Sequence, residues 1–195
     1  MYKSPASGKL YAFVSDSSGT VKQLELFVTG GAIDYTLVRT LSFGSMTEGC
    51  VADDYRQSLY VSQEDVALWR LPAEPGGGST KTQVAPVDGS VLTADLEGLA
   101  IYDKGGGAGY LIASSQGSDD FAVFDRQSGR YRGRFKIINA GIDGVTHTDG
   151  IDVTSAPLGT TYSTGLFVAQ DDRNDNGNQN FKLVPWSAIA LGVKL

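Results

Sequence analysis

The sequence predicts an all-β fold made of small antiparallel sheets that repeat along the chain. Glycine is abundant, with 25 residues, and helical periodicity is scarce. An acidic residue followed by glycine opens a strand-like run three times, as "TEGCV", "LEGLA" and "TDGID". A second apolar segment recurs with starts 49, 52 and 55 residues apart, as "LYAFVS" from Leu10, "LYVSQE" from Leu59, "LIASSQ" from Leu111 and "LFVAQD" from Leu166.

Each recurring segment is followed by a polar turn and a further strand-like run: "VKQLELF", "VALWRLP", "FAVFDRQ" and "FKLVPW". The two middle units add a third run, "TKTQVAPV" and "YRGRFKII". Together with the acid-glycine strand, one unit has four antiparallel strands. Such units repeating at this period predict the blades of a β-propeller, because one small sheet cannot bury both faces without neighbours. A β-sandwich or an irregular barrel is the alternative.

The strand count predicts an incomplete ring. We expect the first unit to lack its innermost strand and the last unit to lack its outermost strand. Residues 1–195 would then form a partial propeller domain of about three and a half blades, whereas closed rings have roughly four to eight. A longer propeller, or a second copy of the chain acting as a homo-oligomeric partner, would cover the sheet edges that otherwise stay open.

Composition narrows the function classes. The chain has 195 residues, a hydrophobic fraction of 41% and a formal net charge of -6, which disfavours a nucleic-acid partner and favours a cationic ligand such as a metal. A single cysteine excludes an internal disulfide framework and a multi-cysteine metal site. No apolar run is long enough to span a bilayer, so no membrane partner is expected, and the first residues lack a signal-peptide pattern.

The acid-glycine repeat predicts a carboxylate ring. If each pair opens an innermost strand, then Glu48, Glu97 and Asp149 occupy equivalent places around the central axis. Glu64 ends a recurring segment, and Asp95 lies two residues before Glu97, on the same face of an extended strand. Oxygen ligands without histidine or cysteine suit Ca²⁺, which takes about 6–8 of them. The alternative is that each acid only makes a turn hydrogen bond before its glycine.

A second calcium signal lies in "DDRNDNGNQN", where Asp172, Asn174, Asn176 and Gly177 match the first half of a calcium-binding loop. Leu183 stands where such a loop needs a bidentate glutamate. The pattern leaves a solvated loop and a structural calcium site as alternatives.

Three motifs are interpreted as structural. Cys50 and Arg56 have the spacing of a cysteine phosphatase loop, but neighbouring acids would repel both a thiolate and a phosphate, so Cys50 is expected to be a small buried strand residue. His147 is the sole histidine and is expected in a loop. The segment "KGGGAG" lacks a following helix and is predicted to be a hairpin.

Several segments, in order and with similar spacing, resemble landmarks of the β-propeller phytases. They are "TEGCVADD", "LYVSQED", "DLEGLAIY", "YLIASSQG", "HTDGIDV", "GLFVAQD" and "NQNFKLVPW", and they cover nearly the whole chain. The resemblance is to the C-terminal half or more of a six-bladed, calcium-dependent phosphatase domain. It implies a secreted or periplasmic protein.

The resemblance also implies an activity: hydrolysis of phosphomonoesters of phytate, myo-inositol hexakisphosphate, by a water activated by several Ca²⁺ ions. Matching motifs assign the catalytic calcium ligands to Glu48, Glu64, Asp95, Glu97 and Asp149, and a stabilising calcium site to Asp143 and Asp171. The basic and tyrosyl groups with which the family grips phosphate come largely from blades that would precede Met1. Two other hypotheses are therefore kept. One is a calcium-binding propeller that binds phosphorylated ligands or self-assembles without catalysis, and the other is a protein-interaction propeller without metal.

Overall fold

The computed structural model describes residues 1–175 and 177–195. Four antiparallel sheets follow one another along the chain, and within each sheet the strands lie in sequence order. The first sheet contains β1 (Tyr2–Lys3), β2 (Leu10–Ser15), β3 (Thr20–Thr29) and β4 (Ala32–Ser42). The second contains β5 (Thr47–Asp53), β6 (Ser58–Gln63), β7 (Ala67–Pro72) and β8 (Thr82–Pro86).

The third sheet contains β9 (Leu96–Gly105), β10 (Ala108–Ser115), β11 (Asp120–Asp125) and β12 (Tyr131–Phe135). The fourth contains β13 (Ile151–Thr154), β14 (Leu166–Asp171) and β15 (Asn180–Pro185), and helix α1 (Trp186–Val193) follows it. A 3-10 turn lies at Gln116–Ser118. The all-β prediction is confirmed, and the sheets form the blades of an incomplete propeller.

The two ends of the chain differ from each other. The expectation that the first sheet lacks its innermost strand is wrong, because Tyr2 pairs with Tyr11 and gives that sheet a fourth, two-residue strand. The last sheet has three strands within the part of the chain that the structure describes, as the sequence predicted. Helix α1 was not predicted; it contacts β12 and β15 and buries Trp186 and Ile189.

Several neighbouring strands are joined by short turns. The predicted hairpin at "KGGGAG" joins β9 to β10, and Gly105, Gly106 and Gly107 have φ values of 82°, 61° and 77°. These left-handed conformations favour glycine because it has no Cβ. The hairpin is therefore a turn that only a glycine-rich segment forms without strain.

Apolar clusters lie between neighbouring sheets. Val21 and Leu41 of the first sheet pack with Leu59 and Leu71 of the second. Two further clusters join the second sheet to the third and the third to the fourth. Both faces of the two middle sheets are therefore covered, whereas each end sheet has a neighbour on one face only. Within the described ranges, no helix has the length and hydrophobicity needed to cross a bilayer.

Candidate metal centre

The innermost strands of three sheets pass close to one another at their glycines. Strand β9 contacts β5 on one side and β13 on the other. A Cβ atom on Gly49 would overlap the carbonyl oxygen of Glu97, and one on Gly98 would lie 2.6 Å from the carbonyl oxygen of Asp149. The N–H of Gly98 donates to that same Asp149 oxygen at 2.8 Å. The glycines of the first two repeats, Gly49 and Gly98, thus let the acidic residue of the next repeat approach.

Carboxylates gather beside these crossings. Oxygen atoms of Glu48, Glu64 and Glu97 all lie within 4.8 Å of one another, and so do those of Glu64, Asp65 and Asp95. Glu64 belongs to both groups, so the five residues form one continuous set, called here the acidic cluster. Four of its members were predicted from the sequence; Asp65 was not, although it directly follows Glu64 in the chain.

Asp149 borders the acidic cluster. It lines a shallow depression together with Glu48 and Glu97. Its Oδ1 accepts a hydrogen bond from Gln116 Nε2 at 2.7 Å, and its N–H donates to Gln170 Oε1 at 2.9 Å. Gln116 was not proposed as a site residue, although it holds the repeat position that Glu64 holds one sheet earlier.

Mutual repulsion and burial alter the acidity of the acidic cluster. Glu97 is only 7% exposed, and its burial, followed by the charges of Glu48 and Asp149, raises its pKa to about 8. Burial also raises the pKa of Glu64, with further contributions from Asp95 and other nearby acids. A bound cation would favour the ionised carboxylates and reverse these shifts. The arrangement is therefore suited to a metal ion.

Buried serines tie the acid-bearing strands to the preceding sheet. Ser62 Oγ donates to the backbone carbonyl of Glu97 at 2.6 Å, and Ser114 Oγ donates to that of Thr148 at 2.8 Å. Ser62 and Ser114 occupy the same position of the recurring segment, in "LYVS" and "LIAS". This role of the two serines was not predicted, although their recurrence in the repeat indicated it.

The two acidic residues of the predicted stabilising calcium site lie around the ammonium group of a lysine. Asp143 and Asp171 come together, but Lys182 Nζ lies 3.0 Å from Asp171 Oδ2 and 3.8 Å from Asp143 Oδ2. The same Nζ donates to the side-chain oxygens of Asn174 at 2.8 Å and Asn180 at 2.9 Å. The structure thus places the two acids together, and calcium binding by this pair stays a prediction.

The calcium-loop pattern falls between two strands, β14 and β15, rather than between helices. Asp172 accepts a hydrogen bond from the side chain of Gln179. The N–H of Gly177 donates to the carbonyl of Asn174 at 2.8 Å. Asn176 lies outside the described residues. Among residues 1–175 and 177–195, the sets of three or more acidic residues close enough to share an ion do not include this loop.

The motifs interpreted as structural have ordinary surroundings. Cys50 packs at the cluster between the first two sheets, and burial raises the pKa of its thiol, which opposes nucleophilic reactivity. His147 lies in a loop, where its backbone N–H donates to Asp119 Oδ1 at 2.8 Å. Asp53, near Cys50 in the sequence, instead pairs with Arg126.

The fold and the acidic cluster define a class: an incomplete β-propeller with carboxylates for metal binding beside its innermost strands. A family model described as Phytase matches residues 1–194, and the chain belongs to this family. It is also 47% identical over 197 residues to a 3-phytase of Bacillus subtilis (strain 168). That match covers 97% of this chain and 52% of the relative, so the chain spans about half the relative's length.

Solved structures of distant sequence share the fold. A chain in a mitotic checkpoint complex aligns with a TM-score of 0.51 at 10% identity, covering 90% of this chain and 51% of that chain. A chain in a nidogen/laminin complex aligns with a TM-score of 0.50 at 16% identity, covering 88% and 58%. At such low identity these similarities concern the architecture alone.

Proposed function

We propose that the protein is a calcium-dependent phosphomonoester hydrolase that acts on phytate. The observation that carries the proposal is the acidic cluster, in which five carboxylates from different segments converge in a chain of the phytase family. The relative from B. subtilis is a 3-phytase, which supports phytate as the substrate. Carboxylate oxygens are ligands that Ca²⁺ prefers, which supports calcium as the metal.

The residues of the acidic cluster have distinct tasks. Glu48, Glu64 and Glu97 would supply ligand oxygens, with Asp95 and Asp149 at the margins. When bound, calcium would neutralise these carboxylates, attract phosphate oxygens of phytate and lower the pKa of a water that attacks phosphorus. The bond from phosphorus to the inositol oxygen would break as the water oxygen bonds to phosphorus, and a proton from that water would pass to the inositol oxygen, giving inorganic phosphate and an inositol hydroxyl. Glu97 retains a proton near neutral pH without a cation, so ion binding would release that proton.

Phosphate release from phytate tests the proposal directly. We expect this chain to release phosphate with Ca²⁺ and to stop when a chelator is added. Glu97→Gln should lower the rate about 100-fold or more, by analogy with the loss of other groups that stabilise a transition state electrostatically. Glu25→Gln is the matched control, because Glu25 pairs with Lys9 at 2.7 Å, away from the acidic cluster. Equal rates with calcium and with chelator would refute calcium-dependent catalysis.

Apolar end faces favour a second candidate function, a self-assembling propeller that binds calcium and phosphorylated ligands without hydrolysis. In the first sheet, Val28 pairs with Ile33. Residues directly opposite each other share one face of a sheet. The first end face consists of the exposed side chains of Leu10, Val28, Ile33, Tyr35 and Leu37.

The fourth sheet has a comparable surface. Phe181 and Leu183, the last end face, are exposed on β15, whereas Lys182 between them turns toward the buried side. We propose a second copy of the chain as the occupant: the first end face of one copy packs on the last end face of the other. Both junctions then form together, and the two copies make eight sheets, within the range of closed propellers of about four to eight blades.

The mass in solution distinguishes a single copy of the chain from the proposed assembly of two copies. Light scattering at high protein concentration should give the mass of two copies, and Ile33→Lys should give that of one. Val66→Lys is the control, because Val66 is an exposed valine in the turn between β6 and β7. A single-copy mass for the unsubstituted chain at high concentration would exclude self-assembly. Phytate affinity by calorimetry without phosphate release would favour the binding function over the enzyme.

We further propose that the protein works outside the cytoplasm, in the medium or the periplasm. The resemblance to β-propeller phytases supports this. Fractionation of the producing cells tests it, and recovery of the protein only with cytoplasmic markers would contradict it.

A further inference from the structure

Lys182 is a buried cation surrounded by oxygen atoms. It lies on β15 and is only 8% exposed. Its ammonium group contacts one oxygen each of Asp171, Asn174 and Asn180 at 2.8–3.0 Å. Two of its three N–H donors hydrogen-bond to Asn174 and Asn180, whereas its contact with Asp171 Oδ2, a buried oxygen without a hydrogen-bond partner among the described residues, is an ion pair. Asp143 Oδ2, at 3.8 Å, adds a second negative charge at longer range.

The same carboxylates also accept backbone hydrogen bonds. The N–H of Thr146 donates to Asp171 Oδ1 at 3.1 Å, and the N–H of Asp175 donates to Asp143 Oδ2 at 2.9 Å. A calcium ion would lie about 2.3–2.6 Å from its ligand oxygens. An ion on Asp171 Oδ2 would therefore share that oxygen with the ammonium, and two cations this close repel strongly in a buried site.

We infer that Lys182 takes the place of a divalent metal at Asp143 and Asp171, so this pair holds no calcium in the native protein. The lysine links three segments: the loop before β13, the end of β14, and β15. Calcium binding and calcium dependence are then confined to the acidic cluster. This inference concerns the fourth sheet and does not require that the acidic cluster be catalytic.

Charge removal at Lys182 provides the test. Lys182→Met keeps the length of the side chain but leaves two carboxylates without their cation. In chelator, we expect its melting temperature to fall on the order of 10 °C, because breaking a buried ion pair is strongly destabilising. Added calcium should then raise the melting temperature of this variant more than that of the unsubstituted protein. Lys22→Met, on an exposed lysine of β3, controls for net charge.

Calcium stoichiometry by calorimetry completes the test. Lys182→Met should bind one more ion than the unsubstituted protein, and adding Asp143→Asn to it should abolish that ion. Asp143→Asn alone should leave the stoichiometry unchanged, and this variant decides the matter even if Lys182→Met does not fold. Loss of one ion in Asp143→Asn alone would overturn the inference. A failure of the proposed function would look different, because the unsubstituted protein would bind no calcium or release no phosphate.

Discussion

Glu97→Gln removes the charge that the acidic cluster disfavours most. The pKa of Glu97 rises from 4.5 to about 8, and each pKa unit corresponds to about 1.36 kcal/mol, so ionisation of Glu97 costs the fold at most about 5 kcal/mol. Glu48 is exposed, so solvent screens part of this repulsion. We take about half of the maximum, ~2–3 kcal/mol, as the effect to be measured.

The stability difference between Glu97→Gln and the unsubstituted protein depends on pH in a defined direction. The pKa of Glu97 is higher in the folded protein than in the unfolded chain. The loss of folding stability caused by its ionisation is therefore absent below pH 4.5, grows as the pH rises to about 8 and is constant above it. In chelator at pH 9, Glu97→Gln should therefore melt about 5–10 °C higher than the unsubstituted protein. At pH 4 the two should melt together.

Differential scanning calorimetry, in chelator and in saturating calcium, is the assay. Saturating calcium should reverse the order, because the unsubstituted protein gains a ligand that Glu97→Gln binds weakly. Glu25→Gln should follow the unsubstituted protein within about 1 kcal/mol at both pH values, because an exposed ion pair contributes little. Equal melting of Glu97→Gln and the unsubstituted protein at pH 9 in chelator would refute the repulsion argument.

Two further substitutions test how the sheets fit together. Gly49→Ala should destabilise the protein by about 1–3 kcal/mol, because its methyl group would overlap the carbonyl oxygen of Glu97. Gly150→Ala is the control: its Cβ position has open space around it, so this variant should unfold at the same denaturant concentration as the unsubstituted protein. Arg126→Met should lower the free energy of unfolding, measured by chemical denaturation, by about 3–5 kcal/mol, because it leaves the buried carboxylate of Asp53 unpaired. A decrease under about 1 kcal/mol would show that this ion pair does not hold the second and third sheets together.

The repeat predicted the fold because each sheet uses the same apolar pattern to face its neighbour. The recurring segments became β2, β6, β10 and β14. The ends were less predictable. Two residues at Tyr2–Lys3 carry too little pattern to be recognised as a strand, yet pairing with Tyr11 orders them. Helix α1 is short and follows a proline-containing strand, so local signals did not separate it from that strand.

The acidic cluster was predictable where the repeat encoded it and unpredictable where tertiary contacts decided it. Glu48 and Glu97 share a position in the repeat, so their proximity follows from the fold. The contact of Gln116 with Asp149 depends on a side-chain orientation that sequence spacing does not fix. Lys182 is the clearest case, because its charge in a strand gave no sign that it would turn inward toward Asp171.

A crystal structure determined with calcium, using anomalous scattering to identify the ion, would show whether the acidic cluster is a calcium site. We predict an ion bound by carboxylate oxygens of Glu48, Glu64 and Glu97 at about 2.3–2.6 Å. In the same crystal, Lys182 should retain its contact with Asp171. Absence of anomalous density from the acidic cluster at saturating calcium would show that these carboxylates do not bind calcium.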